Sequence, residues 1–262
     1  MSFLSSDRVA FSIKGYDIYW YGLIICVAIL TAVLVACLYS KKRGYGTDMP
    51  LNIALVAVPT GILGARLFAV LFDSSLEISD YFNFRTGGLS IIGGIIFGAL
   101  GLLLYCLIKR DKDVFKYFDL LCVVLILAQA IGRWGNYINE EVYGQIIDPT
   151  SKYAIFPIAV LIDGQYYQAL FFYEFCFNII GFFILSNAYF TQVCNGYVTS
   201  LYLVFYGLVR TILEPLRNSK FILLWNGFPI SRIMSLAMIV IGIVIYIVIS
   251  VKNTKPKVRV YG

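Results

Sequence analysis

The amino-acid sequence predicts an all-α polytopic membrane protein with about seven transmembrane helices and a small external segment between the fourth and fifth helices. Hydrophobic residues make up 60% of the 262 residues and charged residues only 14%, whereas a soluble globular chain has roughly 25% charged residues. The apolar residues fall into long runs, and a helix needs about 20 of them to cross a bilayer. We predict a single integral-membrane domain over residues 1–262 that includes the external segment 137–167.

Each predicted span ends where charged, aromatic or turn-forming residues begin. The first opens near Tyr19-Trp20-Tyr21, aromatic residues that are typical of a membrane interface, and it closes on Lys41-Lys42-Arg43. Residues 137–167 are too polar to cross, contain proline and glycine turn signals, and are predicted to include a strand near residues 159–161. The predicted spans are 16–39, 51–72, 89–108, 117–134, 169–190, 198–213 and 229–251.

The basic residues predict the orientation. They cluster after the first span, after the third span and in the C-terminal tail, and cytoplasmic loops carry such an excess of lysine and arginine. Seven spans place the termini on opposite sides, so we predict the N-terminus outside and the C-terminus in the cytoplasm. The basic loops and tail that set this orientation also explain the net charge of +6. We therefore predict the lipid bilayer as a partner and no nucleic acid.

The sequence also excludes several chemistries. It contains no histidine, which removes histidine catalysis, histidine metal ligands and histidine pH switches. Its six cysteines lie in apolar stretches and none forms a CxxC pair, so zinc and redox motifs find no support. We predict no metal and no cofactor.

The most informative stretch follows the fourth apolar run, at residues 132–144, with the sequence GRWGNYINEEVYG. Polar groups at membrane depth are costly and usually mark a site or a pathway. Its three glycines permit a bend or a close approach of the backbone. The alternative is a helix end whose arginine extends to the interface.

Several other charged residues are predicted at membrane depth. Arg210, Glu214 and Arg217 share one helix face by their spacing, and Pro215 is expected to end or kink that helix. The alternative for Arg210 and Glu214 is an ion pair that only neutralises buried charge. The residues predicted toward the outer leaflet are Arg133, Glu141, Arg210, Glu214, Arg217 and Arg232; Arg66 and Glu174 lie at membrane depth elsewhere.

Arginines outnumber carboxylates in this outer group, which predicts a site for an anion. Arginine binds phosphate through two parallel hydrogen bonds and does not deprotonate. The phosphate found in that layer belongs to a phospholipid headgroup. From the residues alone, we therefore predict an outward-facing site for an anionic lipid.

The pattern Gly132-Arg133-x-Gly135-Asn136-Tyr137-x-Asn139-x-Glu141-x-x-Gly144 resembles the signature of the prolipoprotein diacylglyceryl transferases. Such a long signature is far more specific than a short motif. Shorter resemblances accompany it in order, at residues 20–23, 64–67, 87–90 with 93–94, 119, 128–131, 173–174 and 206–217.

The resemblance implies a seven-helix enzyme of the bacterial plasma membrane. It moves the diacylglyceryl group of phosphatidylglycerol to the lipobox cysteine of a preprolipoprotein, the first step of bacterial lipoprotein maturation. Glycerol phosphate leaves and a thioether forms. By that resemblance Arg133 and Arg210 hold the phosphate and stabilise charge on the leaving group. We predict Arg133, Arg210 and Glu141 as catalytic, and the predicted substrate-binding residues are Arg133, Asn136, Asn139, Gly144, Tyr21, Arg66, Glu214 and Arg217.

The chain departs from the family pattern at three places. Ile92 stands where relatives carry histidine or tyrosine, Gln168-Ala169 replaces His-Pro, and Arg232 stands where glutamine is common. The thiol proton then goes to Glu141, to a tyrosine such as Tyr21, or to water; alternatively the electropositive pocket lowers the thiol pKa directly, which we favour.

Two other functions stay open at this point. A catalytically inactive paralogue that binds anionic phospholipid is suggested by Ile92. A small-solute transporter predicts an internal repeat, and we find none in the sequence.

Overall fold

The computed structural model describes residues 8–72, 77–82, 90–111, 113–191, 194–222, 224–225 and 228–254. These described residues form seven α-helices and seven short strands, which confirms the predicted all-α class. The helices are α1 Trp20–Lys42, α2 Asp48–Phe72, α3 Ile91–Ile108, α4 Val114–Ile138, α5 Leu170–Thr191, α6 Tyr197–Leu213 and α7 Ile230–Thr254. The strands are β1 Val9–Ile13, β2 Tyr16–Tyr19, β3 Ile146–Ile147, β4 Ala159–Ile162, β5 Gln165–Gln168, β6 Leu224–Trp225 and β7 Phe228–Pro229.

Five of the helices in the described ranges are long and apolar enough to cross a membrane: α1, α2, α4, α5 and α7. The other two, α3 and α6, have 18 and 17 residues, at the short end of the range that spans a bilayer. The chain is therefore a multi-pass membrane protein.

Two predicted boundaries differ from the structure by four residues, and the others lie within three residues of the helix ends. The first span begins at Trp20, not at residue 16, because Tyr16–Tyr19 forms a strand that pairs with β1. The fourth span was expected to end at Trp134, but α4 continues to Ile138. The glycines near its end do not end the helix, and the last turns of α4 carry the polar side chains of the signature.

The chain divides into two compact units, one formed by Met1–Val35 with Cys122–Gly262 and the other by Ala36–Leu121. In the second unit, α2 and α3 approach each other along a seam of glycines. A Cβ atom added to Gly64 would lie 2.1 Å from Cβ of Phe97, and one added to Gly98 would lie 3.2 Å from the carbonyl oxygen of Ala57. Small residues let membrane helices pack at such short range.

In the first unit, the external segment forms a three-stranded antiparallel sheet in the order β3-β5-β4. Asp163 and Gly164 join β4 to β5 with positive φ angles of 48° and 78°, as a type I′ hairpin turn requires. Val160 and Ile162 pack in a buried cluster with Phe171. This contact seats the sheet on the start of α5, and the predicted strand near residue 160 is confirmed.

Candidate functional site

One buried carboxylate connects two arginines from different helices. Glu174, in the second turn of α5, is 2% exposed. Its Oε1 accepts a hydrogen bond from Nη1 of Arg210 at 2.8 Å, and its Oε2 forms an ion pair with Nη2 of Arg133. Both guanidinium groups are themselves mostly buried, with side chains 11% and 14% exposed. The ends of α4 and α6 and the start of α5 therefore meet at one charged centre.

A second carboxylate extends this centre toward α7. Oε2 of Glu214 lies 3.4 Å from Nη2 of Arg210 and 3.8 Å from Nη1 of Arg217, and its Oε1 accepts a hydrogen bond from Ser231. The three side chains lie close together as predicted, but they do not share one α-helix, because only Arg210 belongs to α6. The predicted break at Pro215 is confirmed: α6 ends at Leu213, a 3₁₀ turn over Glu214–Leu216 follows, and Arg217 has an extended backbone.

The third branch of the centre follows from how α4 ends. Nη1 of Arg133 donates to Oδ1 of Asn136 at 3.2 Å. Oε1 of Glu141 accepts hydrogen bonds from the side-chain Nδ2 atoms of Asn136 and Asn139, each at 3.2 Å. Glu140 has a φ of 54°. The backbone amide of Glu141 donates to the backbone carbonyl of Asn136, and the backbone amide of Glu140 donates to that of Tyr137. These two bonds form a Schellman cap, which turns the chain so that Glu141 points back at Asn136.

Gly144 contributes through its lack of a side chain. It pairs with Arg217 in an isolated antiparallel bridge, and its amide bonds the carbonyl of Gln168 at 2.9 Å. A Cβ atom there would lie 2.7 Å from Cβ of Gln168 and 2.9 Å from the carbonyl oxygen of Leu216. Only glycine lets the segment after α4 approach the segment after α6 this closely, and that approach positions the backbone of Arg217.

Tyr21 lies on another face of the same helix end. A Cβ atom added to Gly135 would lie 2.6 Å from the Tyr21 ring, and one added to Gly132 would lie 3.7 Å from Ile25. Gly135 therefore allows the Tyr21 ring to approach α4 closely, whereas the contact at Gly132 is an ordinary one. The ring of Tyr21 packs against the turn of α4 that also carries Arg133 and Asn136.

The predicted surplus of arginine is wrong for the described network. The network joins three guanidinium groups to three carboxylates, namely Arg133, Arg210 and Arg217 with Glu141, Glu174 and Glu214. The sequence count left Glu174 out of the outer group. Because α5 begins at Leu170, directly after the external sheet, Glu174 lies at the level of the arginines.

Compensation is nevertheless uneven within the network. Nε of Arg217 is buried and donates to no atom of the described residues. Burial lowers the pKa of the Arg217 guanidinium, and the positive charge of Arg210 lowers it further. Arg217 remains charged at physiological pH, so this end of the network retains a donor and a positive charge for an added anion.

A cavity of about 480 Å³ borders the third branch. Asn136 and Glu141 line it from the end of α4, and Ala159–Ile162, the whole of β4, lines it from the external sheet. Tyr137, Phe156 and Phe171 add aromatic walls. The cavity therefore joins a polar end to apolar walls.

The remaining predicted residues lie in other parts of the chain. Arg66 lies in the other compact unit and is fully buried there, so its role in substrate binding stays a prediction. Arg232 is exposed in the first turn of α7, a helix long and apolar enough to span, so its expected place at membrane depth stays a prediction. Ser90 caps α3, whereas residues 87–89 of the third-helix motif and the side chain of Ile92 lie outside the described residues.

Two residues of the centre were missing from the predicted set. Glu174 pairs with two arginines, Arg133 and Arg210, and the Tyr173-Glu174 pair of the resemblance was the signal for it. Ser231 had no signal, because its contact with Glu214 depends on how α7 starts beside the end of α6.

Comparison with known proteins supports the assignment of the signature. The family model of prolipoprotein diacylglyceryl transferase matches residues 8–248. A phosphatidylglycerol–prolipoprotein diacylglyceryl transferase of Streptococcus uberis is 33% identical over 247 residues, covering 92% of this chain and 94% of that protein. The corresponding protein of Finegoldia magna is 34% identical over 245 residues, with 92% and 95% covered. One of Clostridium perfringens is 35% identical over 262 residues, with 97% and 99% covered. The chain therefore belongs to the prolipoprotein diacylglyceryl transferase family.

Proposed function

We propose that this chain transfers the diacylglyceryl group of phosphatidylglycerol to the cysteine thiol of a prolipoprotein lipobox. The observation that carries the proposal is the bridge in which one buried carboxylate, Glu174, joins Arg133 to Arg210. Two guanidinium groups held at the spacing of one carboxylate can also donate to the oxygens of one phosphate. The two substrates that we propose, phosphatidylglycerol and a prolipoprotein, are those given in the names of the relatives.

In the proposed reaction, Arg133 and Arg210 bind the phosphate of the lipid. The sulfur attacks the glyceryl carbon that carries the phosphate, a C–S bond forms, and the C–O bond to phosphate breaks. Glycerol phosphate leaves with the former ester oxygen and its added negative charge. Guanidinium groups already in position stabilise that charge as it develops, which is electrostatic catalysis.

The same arginines act on the acceptor thiol. An unperturbed thiol has a pKa near 8.5 and is only a few per cent ionised at neutral pH, and nearby positive charge lowers that pKa. The chain has no histidine to act as a base. Glu141, which two amides orient at the cavity wall, is the carboxylate we assign to receive the proton before it passes to solvent.

The orientation follows from the charge distribution. We place the N-terminus outside and the C-terminal tail in the cytoplasm of the bacterial plasma membrane, so that the network faces the side on which lipobox peptides emerge. Reporter fusions at the C-terminus test this placement. A cytoplasm-dependent reporter should be active, and activity of an export-dependent reporter would reverse the orientation.

The direct test uses the purified protein in micelles that contain phosphatidylglycerol, with a synthetic lipobox peptide and a Cys→Ser peptide as control. Mass spectrometry should detect the diacylglyceryl adduct on the cysteine peptide only. Arg133→Ala should lower the rate by at least about 10²-fold, whereas the exposed Arg232→Ala should not. Full activity of Arg133→Ala would overturn the site assignment, and absence of an adduct with wild-type protein would overturn the function.

A further inference from the structure

One edge of the external sheet lacks a neighbouring strand. In the order β3-β5-β4, strand β4 has β5 on one side and no strand of the described residues on the other. In the hairpin turn, the backbone amide of Gln165 donates to the carbonyl of Ile162, so this pair of residues is hydrogen-bonded. Along two antiparallel strands, hydrogen-bonded pairs of residues alternate with pairs that exchange no backbone hydrogen bond. The next pair, Leu161 with Tyr166, is therefore non-bonded. The backbone amide and carbonyl of Leu161 point away from β5.

Independent contacts confirm this alternation. On β5, the backbone amide of Gln168 donates to the carbonyl of Gln145. The backbone amides and carbonyls of the even-numbered β5 residues therefore point toward β3, away from β4. On β4, the outward amide of Ala159 already bonds the carbonyl of Ile155. The unpaired backbone groups of β4 are therefore centred on Leu161.

The cavity of about 480 Å³ follows this edge. All four residues of β4 line it, although successive side chains of a strand point to opposite faces. A cavity that borders four successive residues therefore lies along the edge of the strand. Its volume is within the range of binding pockets, about 300–1,000 Å³.

One end of the cavity reaches the charged centre. Asn136 and Glu141 line it, and Asn136 accepts a hydrogen bond from Arg133 at 3.2 Å. A molecule bound along β4 would thus have one end beside the arginine network.

We propose that an extended segment of the acceptor protein binds along the free edge of β4 as a fourth strand and delivers its cysteine to the end lined by Glu141. This inference rests on the proposed function and names how its second substrate binds. Strand addition pairs the backbone of an extended peptide with an open sheet edge, and pockets receive alternate side chains. The edge selects a peptide over a lipid, because an acyl chain offers no partner for the amide and carbonyl of Leu161. The four residues of β4 match a peptide stretch of about 13 Å.

The first test measures binding of Cys→Ser lipobox peptides to the wild-type protein, with one backbone amide N-methylated in each peptide. A paired strand should lose affinity about five- to tenfold at every second position, where the amide faces β4, and should tolerate methylation between them. Loss at all positions alike, tolerance at all positions, or absence of peptide binding would overturn the inference.

The second test changes the protein. Leu161→Pro removes the outward amide but no bond to β5, and proline is tolerated at such edge positions; Leu161→Ala is the matched control that keeps the amide. The proline variant should raise the KM for peptide about fivefold or more relative to the alanine variant, and both should have the same KM for phosphatidylglycerol. Equal KM values for peptide would contradict strand addition.

The two proposals fail separately. If wild-type protein binds the Cys→Ser peptides with the alternating pattern but forms no adduct on the cysteine peptide, the proposed function fails and strand addition stands. If adducts form and the methylation pattern does not alternate, strand addition fails and the proposed function stands.

Discussion

Replacing Glu174 with glutamine is expected to destabilise the protein markedly. The change keeps the shape of the side chain and removes the negative charge that two buried guanidinium groups share. Removing one partner of a buried ion pair costs about 3–5 kcal/mol, because the remaining charge is left uncompensated. Glutamine still offers one acceptor oxygen, so we expect about 3 kcal/mol, equivalent to a fall in Tm of about 6–12 °C for a chain of this size.

Thermal unfolding in detergent micelles, followed by tryptophan fluorescence, measures this change. Glu140→Gln is the matched control: Glu140 is exposed, and we expect less than about 0.5 kcal/mol there. Phosphatidylglycerol should raise the Tm of Glu174→Gln more than that of the wild type, since lipid phosphate can replace the lost carboxylate. A Glu174→Gln variant that unfolds within about 1 °C of wild type would refute the argument that this carboxylate holds the network together.

Three further predictions concern features around the centre. Gly144→Ala forces an atom within 2.9 Å of a backbone carbonyl and should cost about 1–3 kcal/mol and lower the transfer rate; Gly22→Ala, where a Cβ atom meets nothing within 4 Å, should do neither. Glu140→Gly should raise the Tm, because the left-handed conformation at φ 54° costs a non-glycine residue about 1–2 kcal/mol; an unchanged or lower Tm would argue against this strain. The hydrogen bond from Lys116 lowers the pKa of Asp111 from 3.8 to about 2. The Asp111–Lys116 pair should stabilise the fold by less than about 1 kcal/mol, fully above pH 4 and progressively less toward pH 2 as Asp111 is protonated. The Tm values of Asp111→Asn and wild type should therefore converge in acid, and a difference that persists at pH 2 would contradict this.

The sequence was sufficient for those parts of the site that depend on helical period and on signature spacing. Arg210, Glu214 and Arg217 meet as their separations of four and three residues predict. The polar residues of the signature converge because a single helix end and its cap carry them.

Contacts between helices could not be predicted in the same way. The bridge from Glu174 to Arg133 and Arg210 depends on how three helices pack, and no residue spacing encodes that. The same limit explains the wrong arginine count, since the depth of Glu174 depends on where the external sheet gives way to α5. The free edge of β4 was equally hidden, because strand order is a property of the assembled sheet.

The bridging carboxylate also has a consequence for which lipids can enter. Glu174 already forms ion pairs with the arginines before any ligand arrives. The binding free energy of an incoming phosphate is therefore only the difference between the interactions that it forms with the arginines and those that it displaces. A headgroup whose own ammonium group already balances its phosphate gains little from that exchange, whereas a headgroup with uncharged hydroxyls gains more. If the arginines bind lipid phosphate as proposed, competition with this resident carboxylate adds to the discrimination between zwitterionic and anionic lipids.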